Sequence, residues 1–237
     1  MNETTTPARK ALIADEIEVL QRLVPLAGAR VVELGCGKAE LARHLLERGL
    51  VASVRGFEVD AVQHAKNLAA APVPGLAFAA GGAEAIPLPD ACCEVVLMLK
   101  SLHHVPLPLL DRAFAEIRRV LLPGGRLYVS EPVYAGPFND IVRLFHDEGV
   151  VRAAAYAALQ RAIATADFED GGETVFDMPL HFRDFDDFDR RIVQATHSDL
   201  RLEGETLAEV RRRFARFQTP DGAGFVREMR VNVLRRT

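Results

Sequence analysis

The chain has 237 residues, 49% of them hydrophobic and 26% charged, a composition that excludes disorder and leads us to expect one principal domain with a sizeable core. Its net charge is −4, from 29 basic and 33 acidic residues, so no diffuse positive field concentrates nucleic acid or an anionic membrane.

The first half alternates short apolar runs with stretches of helical period, the pattern of βαβ units stacked into a parallel sheet. An amphipathic helix is expected over 13–23, stopped near Pro25. A buried strand follows at 30–34, a helix at 40–47, a second strand at 53–58 and a second helix at 60–70. A third, weaker strand is expected at 76–79 and a fourth at 94–99. Residues 108–121 carry helical spacing, Pro123-Gly124-Gly125 reads as a turn, and 126–130 as a fifth strand. After residue 134 the rhythm changes. Residues 137–168 read as a helical insert, 167–173 as an acidic loop, 174–182 as a short strand and 186–196 as a helix. The final run, 229–234, alternates like a half-exposed or edge strand. The fold class expected is α/β, doubly wound, with a mostly parallel seven-stranded sheet, helices on both faces and a helical insert or lid after the fifth strand. Within a single domain, 1–134 form the cofactor half, 135–200 the insert and substrate-recognition region, and 201–237 a C-terminal helix and last strand.

No apolar run approaches the roughly 20 residues of a membrane span, and the opening MNETTTPARKALIADE lacks the apolar centre of a signal peptide, so no membrane association and a cytoplasmic location are expected. Cys36, Cys92 and Cys93 suit neither a disulfide framework nor zinc spacing, and no metal is expected. Residues 137–189 hold 12 acidic and 4 basic residues, whereas 190–237 hold 11 basic and 6 acidic. Both read as solvated faces.

Glu33-Leu-Gly35-Cys36-Gly37-Lys-Ala39 lies between a buried strand and a helix, where small residues let a ligand approach backbone N–H groups. A dinucleotide fingerprint needs a third glycine three residues after Gly37, and Glu40 stands there, which argues against NAD or a flavin. Glu58 closes the next strand, where a carboxylate can accept both hydroxyls of a ribose. These features ask for a nucleoside without demanding a phosphate.

The motif resembles the acidic-x-G-x-G-x-G signature of class I S-adenosylmethionine-dependent methyltransferases, with Ala39 in place of the last glycine. Gly56-Phe-Glu58-Val59-Asp60 is similar to that family's second motif, and the resemblance implies that Glu58 binds the ribose while Val59 packs on adenine. Gly82-Ala83-Glu84-Ala-Ile-Pro87 resembles the segment along the adenine edge. Gly82 stands where the family usually has Asp, which leaves the backbone of Ala83 and Glu84 as the expected partners. Residues 95–105, with Met98 and Leu99, and 119–129 are similar to the fourth- and fifth-strand signatures. The resemblance covers about residues 30–134 and implies S-adenosyl-L-methionine as cofactor and S-adenosyl-L-homocysteine as product.

A sulfonium methyl is already activated, so positioning matters more than side-chain chemistry. For a hydroxyl acceptor, His103 or His104 is the candidate base and Glu131 a candidate contact at the same end of the sheet. His146, Asp147, Tyr156 and His181 fall in the insert and read first as satisfied polar residues. Arg212 and Arg216 share a helical face that reads as solvated. The expected acceptor is a small molecule, its attacking atom (O, N or C) left open. The alternatives are an RNA-base or tRNA methyltransferase, or a cofactor-binding module without turnover; nucleic acid is disfavoured by the charge balance.

Overall fold

The computed structural model describes residues 10–194 and 202–237. The expected helix over 186–196 runs into residues 195–201, which lie outside the described residues, as does the opening segment 1–9. The chain divides into two compact units. One comprises 15–131, 149–174 and 230–237, and the other 1–14, 132–148 and 175–229. We call them the nucleotide unit and the aromatic unit for the features described below.

In the nucleotide unit, α1 (Glu16–Leu23) leads to β1 (Arg30–Leu34), α2 (Glu40–Glu47), β2 (Ser53–Glu58), α3 (Ala61–Ala69), β3 (Leu76–Ala80), β4 (Cys93–Leu99), α4 (Leu110–Val120) and β5 (Leu121–Pro132). Strand β1 pairs in parallel with β2 and β4, β2 with β3, and β4 with β5. Four of the five β1 residues are buried, as an interior strand of a parallel sheet requires. After β5 come α5 (Gly136–Val142), α6 (Gly149–Ala164), β6 (Phe168–Phe182), α7 (Phe185–Phe188), α8 (Gly204–Phe214), β7 (Gln218–Thr219) and β8 (Gly222–Arg236). The sheet order is β3-β2-β1-β4-β5-β8-β6, seven strands, with the two-residue β7 paired to β8 as an eighth.

Several expectations from the sequence are corrected here. The helical stretch after β5 is two helices. The second, α6, buries Ala155, Ala158, Leu159 and Ala162 in the core of the nucleotide unit and packs against α4 and the one-turn helix Leu102–His104. The acidic segment 167–173 is mostly strand, the first part of β6. As the last strand of the sheet it leaves Glu169–Glu173 exposed, so polar residues are compatible with strand there. The run 229–234 is no edge. It belongs to β8, between β5 and β6, and Val231, Val233 and Leu234 are buried. Pro123-Gly124-Gly125 is a bulge: Leu121 pairs with Cys93 and Arg126 with Val95, so four residues loop out opposite one.

The aromatic unit is built on phenylalanine. Phe138, Phe182, Phe188, Phe214 and Phe225 are buried together, mostly edge to face, with Phe182 and Phe188 ring centres 5.3 Å apart. Guanidinium groups cover the outside, Arg211 4.1 Å from the Phe185 ring centre and Arg191 4.7 Å from that of Phe182.

Candidate active site

The glycine loop joins β1 to α2 and is fixed by backbone hydrogen bonds. The N–H groups of Gly35 and Cys36 both donate to the Phe57 carbonyl, at 2.9 and 3.0 Å. Gly35 has φ +70°, and a side-chain carbon there would sit 2.6 Å from Ser101 Cβ, so only glycine fits. Ser101 in turn donates to the Leu34 carbonyl at 2.7 Å, tying the end of β1 to the turn after β4. Gly37 is different, because a carbon built on it meets nothing within 4 Å. Its bare face borders open space, as a loop that cradles a ligand requires.

Glu58 is 8% exposed and holds this loop to the start of α3. Its Oε2 accepts from Gly37 N–H at 2.8 Å and its Oε1 from Asp60 N–H at 2.9 Å. The Gly37 N–H is therefore occupied by Glu58, while each carboxylate oxygen keeps a lone pair for a ribose hydroxyl. Asn67, which sequence reasoning missed, is buried on α3 and donates to the Gly37 carbonyl at 2.7 Å. Its only sequence signal is an amide on the inward face of a helix. Cys36 turns inward, its sulfur 3.8 Å from Asn67 Nδ2, and burial pushes its thiol up to about 12.

Val59 is 71% exposed, an apolar side chain open to contact beside Glu58. Ala83 is buried, Glu84 is half-buried, and the Glu84 carboxylate folds back across the α-carbon of Gly82. It fills the space that the side chain of an aspartate at position 82 would need. The loop after β3 is pinned by α4. Arg119 donates to the carbonyls of Ile86 and Leu88 at 2.8 and 2.7 Å and to Asp90 at 2.8 Å. Glu116, which also binds Arg119, accepts from Ile86 N–H at 2.9 Å. This clamp was invisible in the sequence because its partners lie about 30 residues apart. Met98 is fully buried in the core, so its side chain packs the sheet and Leu99, half-buried, is the nearer of the pair to solvent.

At the ends of β4 and β5 the structure brings His103 and Glu131 together. His103 is 5% exposed, and its Nδ1 lies in a close hydrogen bond to Glu131 Oε2. The second Glu131 oxygen accepts from Leu102 N–H at 2.8 Å, so the carboxylate is held from two sides. His104 is exposed, its ring centre 4.1 Å from that of His103. The adjacent histidines thus differ in role, one oriented and one at the surface.

Glu33 is 5% exposed. Burial, with a smaller contribution from the charge of Glu58, pushes its carboxyl up to about 8, and Lys100 partly opposes the rise. The other polar candidates are satisfied within their own units: Tyr134 donates to Asp147 at 2.6 Å, His146 meets Glu148 at 2.9 Å, Tyr156 donates to Glu173 at 3.0 Å, and His181 meets the Asp221 carbonyl at 2.8 Å. Arg212 and Arg213 both bind Glu209. Among the described residues no helix is long and apolar enough to cross a membrane.

Residues 32–129 match the family described as a methyltransferase domain. An uncharacterised methyltransferase of Mycobacterium tuberculosis is 37% identical over 110 residues, covering 46% of this chain and 42% of that protein. The 27-O-demethylrifamycin SV methyltransferase of Amycolatopsis mediterranei is 33% identical over 162 residues, 63% of this chain and 58% of its own length. The phthiotriol/phenolphthiotriol dimycocerosates methyltransferase 1 of Mycobacterium ulcerans is 35% identical over 123 residues, 50% and 42%. The chain thus spans roughly half the length of these curated relatives. Among solved structures, the YcgJ protein of Bacillus subtilis superimposes with a TM-score of 0.63 at 16% identity, covering 93% of this chain and 97% of that one. The [4+2]-cyclase SpnF does so with a TM-score of 0.59 at 20% identity, covering 98% and 87%; these likenesses show the fold. The glycine loop, its acidic partners and the parallel sheet agree with the match over residues 32–129, and this part of the chain is similar to methyltransferase domains of Rossmann-like fold.

Proposed function

We propose that the chain uses S-adenosylmethionine to methylate a hydroxyl group of a small molecule. The residues present fit that cofactor: Gly37 offers an open backbone face, Glu58 a carboxylate for the ribose and Val59 an exposed apolar contact. When bound, the sulfonium supplies an activated methyl group, so transfer is an in-line displacement governed by placement.

The observation that carries the hydroxyl reading is the His103–Glu131 pair. Glu131 accepts the Nδ1 proton and thereby fixes Nε2 as the basic nitrogen. The carboxylate also stabilises the imidazolium that forms when Nε2 takes the acceptor's proton. Both residues lie at the carboxyl ends of adjacent parallel strands, where ligands of open α/β sheets bind. The names of the rifamycin and phthiotriol relatives support a small-molecule acceptor and suggest hydroxylated candidates to try.

The test measures S-adenosylhomocysteine formed with a panel of small hydroxylated acceptors, for the native chain and for His103→Ala and Glu131→Gln. Loss of one general base should slow transfer by about 10²–10⁴-fold while leaving cofactor binding intact. Full-rate transfer by His103→Ala would overturn the assignment. A second reading, cofactor binding without methyl transfer, is favoured by the [4+2]-cyclase among the structural neighbours. It would show as product formation with S-adenosylmethionine unconsumed.

A further inference from the structure

The carboxyl end of β5, which supplies Glu131, also has a cation beside it that the proton transfer described above does not use. Val129 of β5, Leu234 of β8 and Ala155 and Ala158 of α6 share one core cluster, so both strands turn this row of side chains toward α6. Side chains alternate along a strand, which puts Glu131 with Val129, and Arg230 with Leu234, on that same face. The register agrees. Val133 N–H donates to the Glu228 carbonyl at 2.9 Å, while at the other end of the pair the Arg236 guanidinium meets the Leu121 carbonyl. The start of β5 thus lies beside the end of β8, an antiparallel pair in which Glu131 stands directly opposite Arg230.

These opposite charges do not pair. Both oxygens of Glu131 are taken, by Leu102 N–H and by His103 Nδ1, and the Arg230 guanidinium lies instead 3.9 Å from the ring centre of Tyr156, on α6. That ring is itself fixed from behind: its hydroxyl and the amide of buried Asn232 both donate to Oε2 of Glu173, at 3.0 and 3.1 Å. Among the described residues the Arg230 guanidinium makes no hydrogen bond and no ion pair. Stacking holds an arginine by its flat face and leaves the N–H donors, which lie in its plane, available to a ligand. Arg230 is half-buried, so an anion reaching those donors gains more than it would at an open surface. The surrounding charge limits which anion. Glu131 and Glu173 both lie nearby, so a dianion such as phosphate meets two like charges, whereas a singly charged carboxylate matches the guanidinium fork.

We propose that Arg230, stacked on Tyr156, binds a carboxylate of the methyl acceptor, which makes the acceptor a small hydroxy acid and Arg230 a specificity-determining residue. The proposal deepens the hydroxyl reading above and rests on it for the place of the acceptor beside His103. With its hydroxyl at Nε2 of His103 and its carboxylate at Arg230, the acceptor is held at two points, the orientation that in-line transfer needs. All of these groups belong to the nucleotide unit.

Melting curves of the chain saturated with S-adenosylhomocysteine, taken with hydroxybenzoates and short aliphatic hydroxy acids and with the methyl ester of each, test it. Acids should raise the melting temperature where the matching esters do not. Arg230→Gln should weaken the best acid by roughly 10- to 100-fold in calorimetric titration, the loss of a charged hydrogen bond. Arg230→Lys, which keeps the charge without the planar fork, should recover part of that affinity. S-adenosylhomocysteine should bind all three proteins equally, which also shows that the variants fold. Esters that stabilise as well as acids, the lack of any stabilising acid, or equal binding of the best acid by Arg230→Gln would overturn the proposal while leaving methyl transfer standing. Acids that bind through Arg230 yet accept no methyl group from S-adenosylmethionine would uphold the carboxylate site and overturn the hydroxyl reading. A native chain that does not bind S-adenosylhomocysteine would overturn both.

Discussion

Replacing Glu33 by Gln should make the ligand-free protein more stable, and increasingly so as pH rises. The folded carboxyl titrates near 8 against 4.5 when unfolded. Between those values the folded state binds more protons than the unfolded chain, so stability falls with rising pH. The contribution of this group is complete below pH 4.5 and lost by about pH 8. At about 1.4 kcal/mol per unit, the native chain loses roughly 3 kcal/mol between pH 5 and pH 8 through this one residue. Gln carries no charge to desolvate and has the same shape. Melting curves of the two proteins should therefore lie close together at pH 5 and separate by roughly 6–12 °C at pH 8, taking about 2–4 °C per kcal/mol for a chain of this size. Taking the difference between variant and native protein removes the titration of every other group. A gap that does not change with pH, or that favours the native chain at pH 8, would refute the argument that burial governs Glu33.

Ala39 precedes α2 with φ +56°, and Ala39→Gly should stabilise the protein by about 0.5–1 kcal/mol, the relief of left-handed strain less the added freedom of the unfolded chain; thermal melting checks it, and a lower melting temperature would contradict it. Arg119→Ala should release the loop after β3 from α4, lowering stability by about 2 kcal/mol through loss of its charged hydrogen bonds. Amide exchange at Ile86 and Leu88 should rise with it, and unchanged protection there would show that the loop is held by other means.

Where one stretch of chain makes its own structure, the sequence was readable. The limits of β1, α2 and β2 agree with the runs 30–34, 40–47 and 53–58 because each is bounded by glycine, proline or a capping residue and buries a regular pattern. The glycine loop and Glu58 were readable for the same reason, being neighbours across a single βαβ unit. Residues 167–173 misled because local polarity reports exposure, and the last strand of a sheet can be exposed and still extended. The approach of Glu131 to His103, the Arg119 clamp and the meeting of Lys100 with Glu16 all depend on strand order, which no local pattern encodes.

The nucleotide unit is assembled from three stretches of chain, and the last of them, 230–237, supplies Leu234 to its core and β8 beside β5. During synthesis the glycine loop emerges early, yet the sheet that supports it lacks a strand until about two hundred further residues have been made. Pairing of such distant segments slows folding and leaves the exposed edge of β5 open to wrong partners in the meantime. The edge of β5 is therefore covered only once β8 has been made, so a product stalled or clipped before it would be an aggregation hazard.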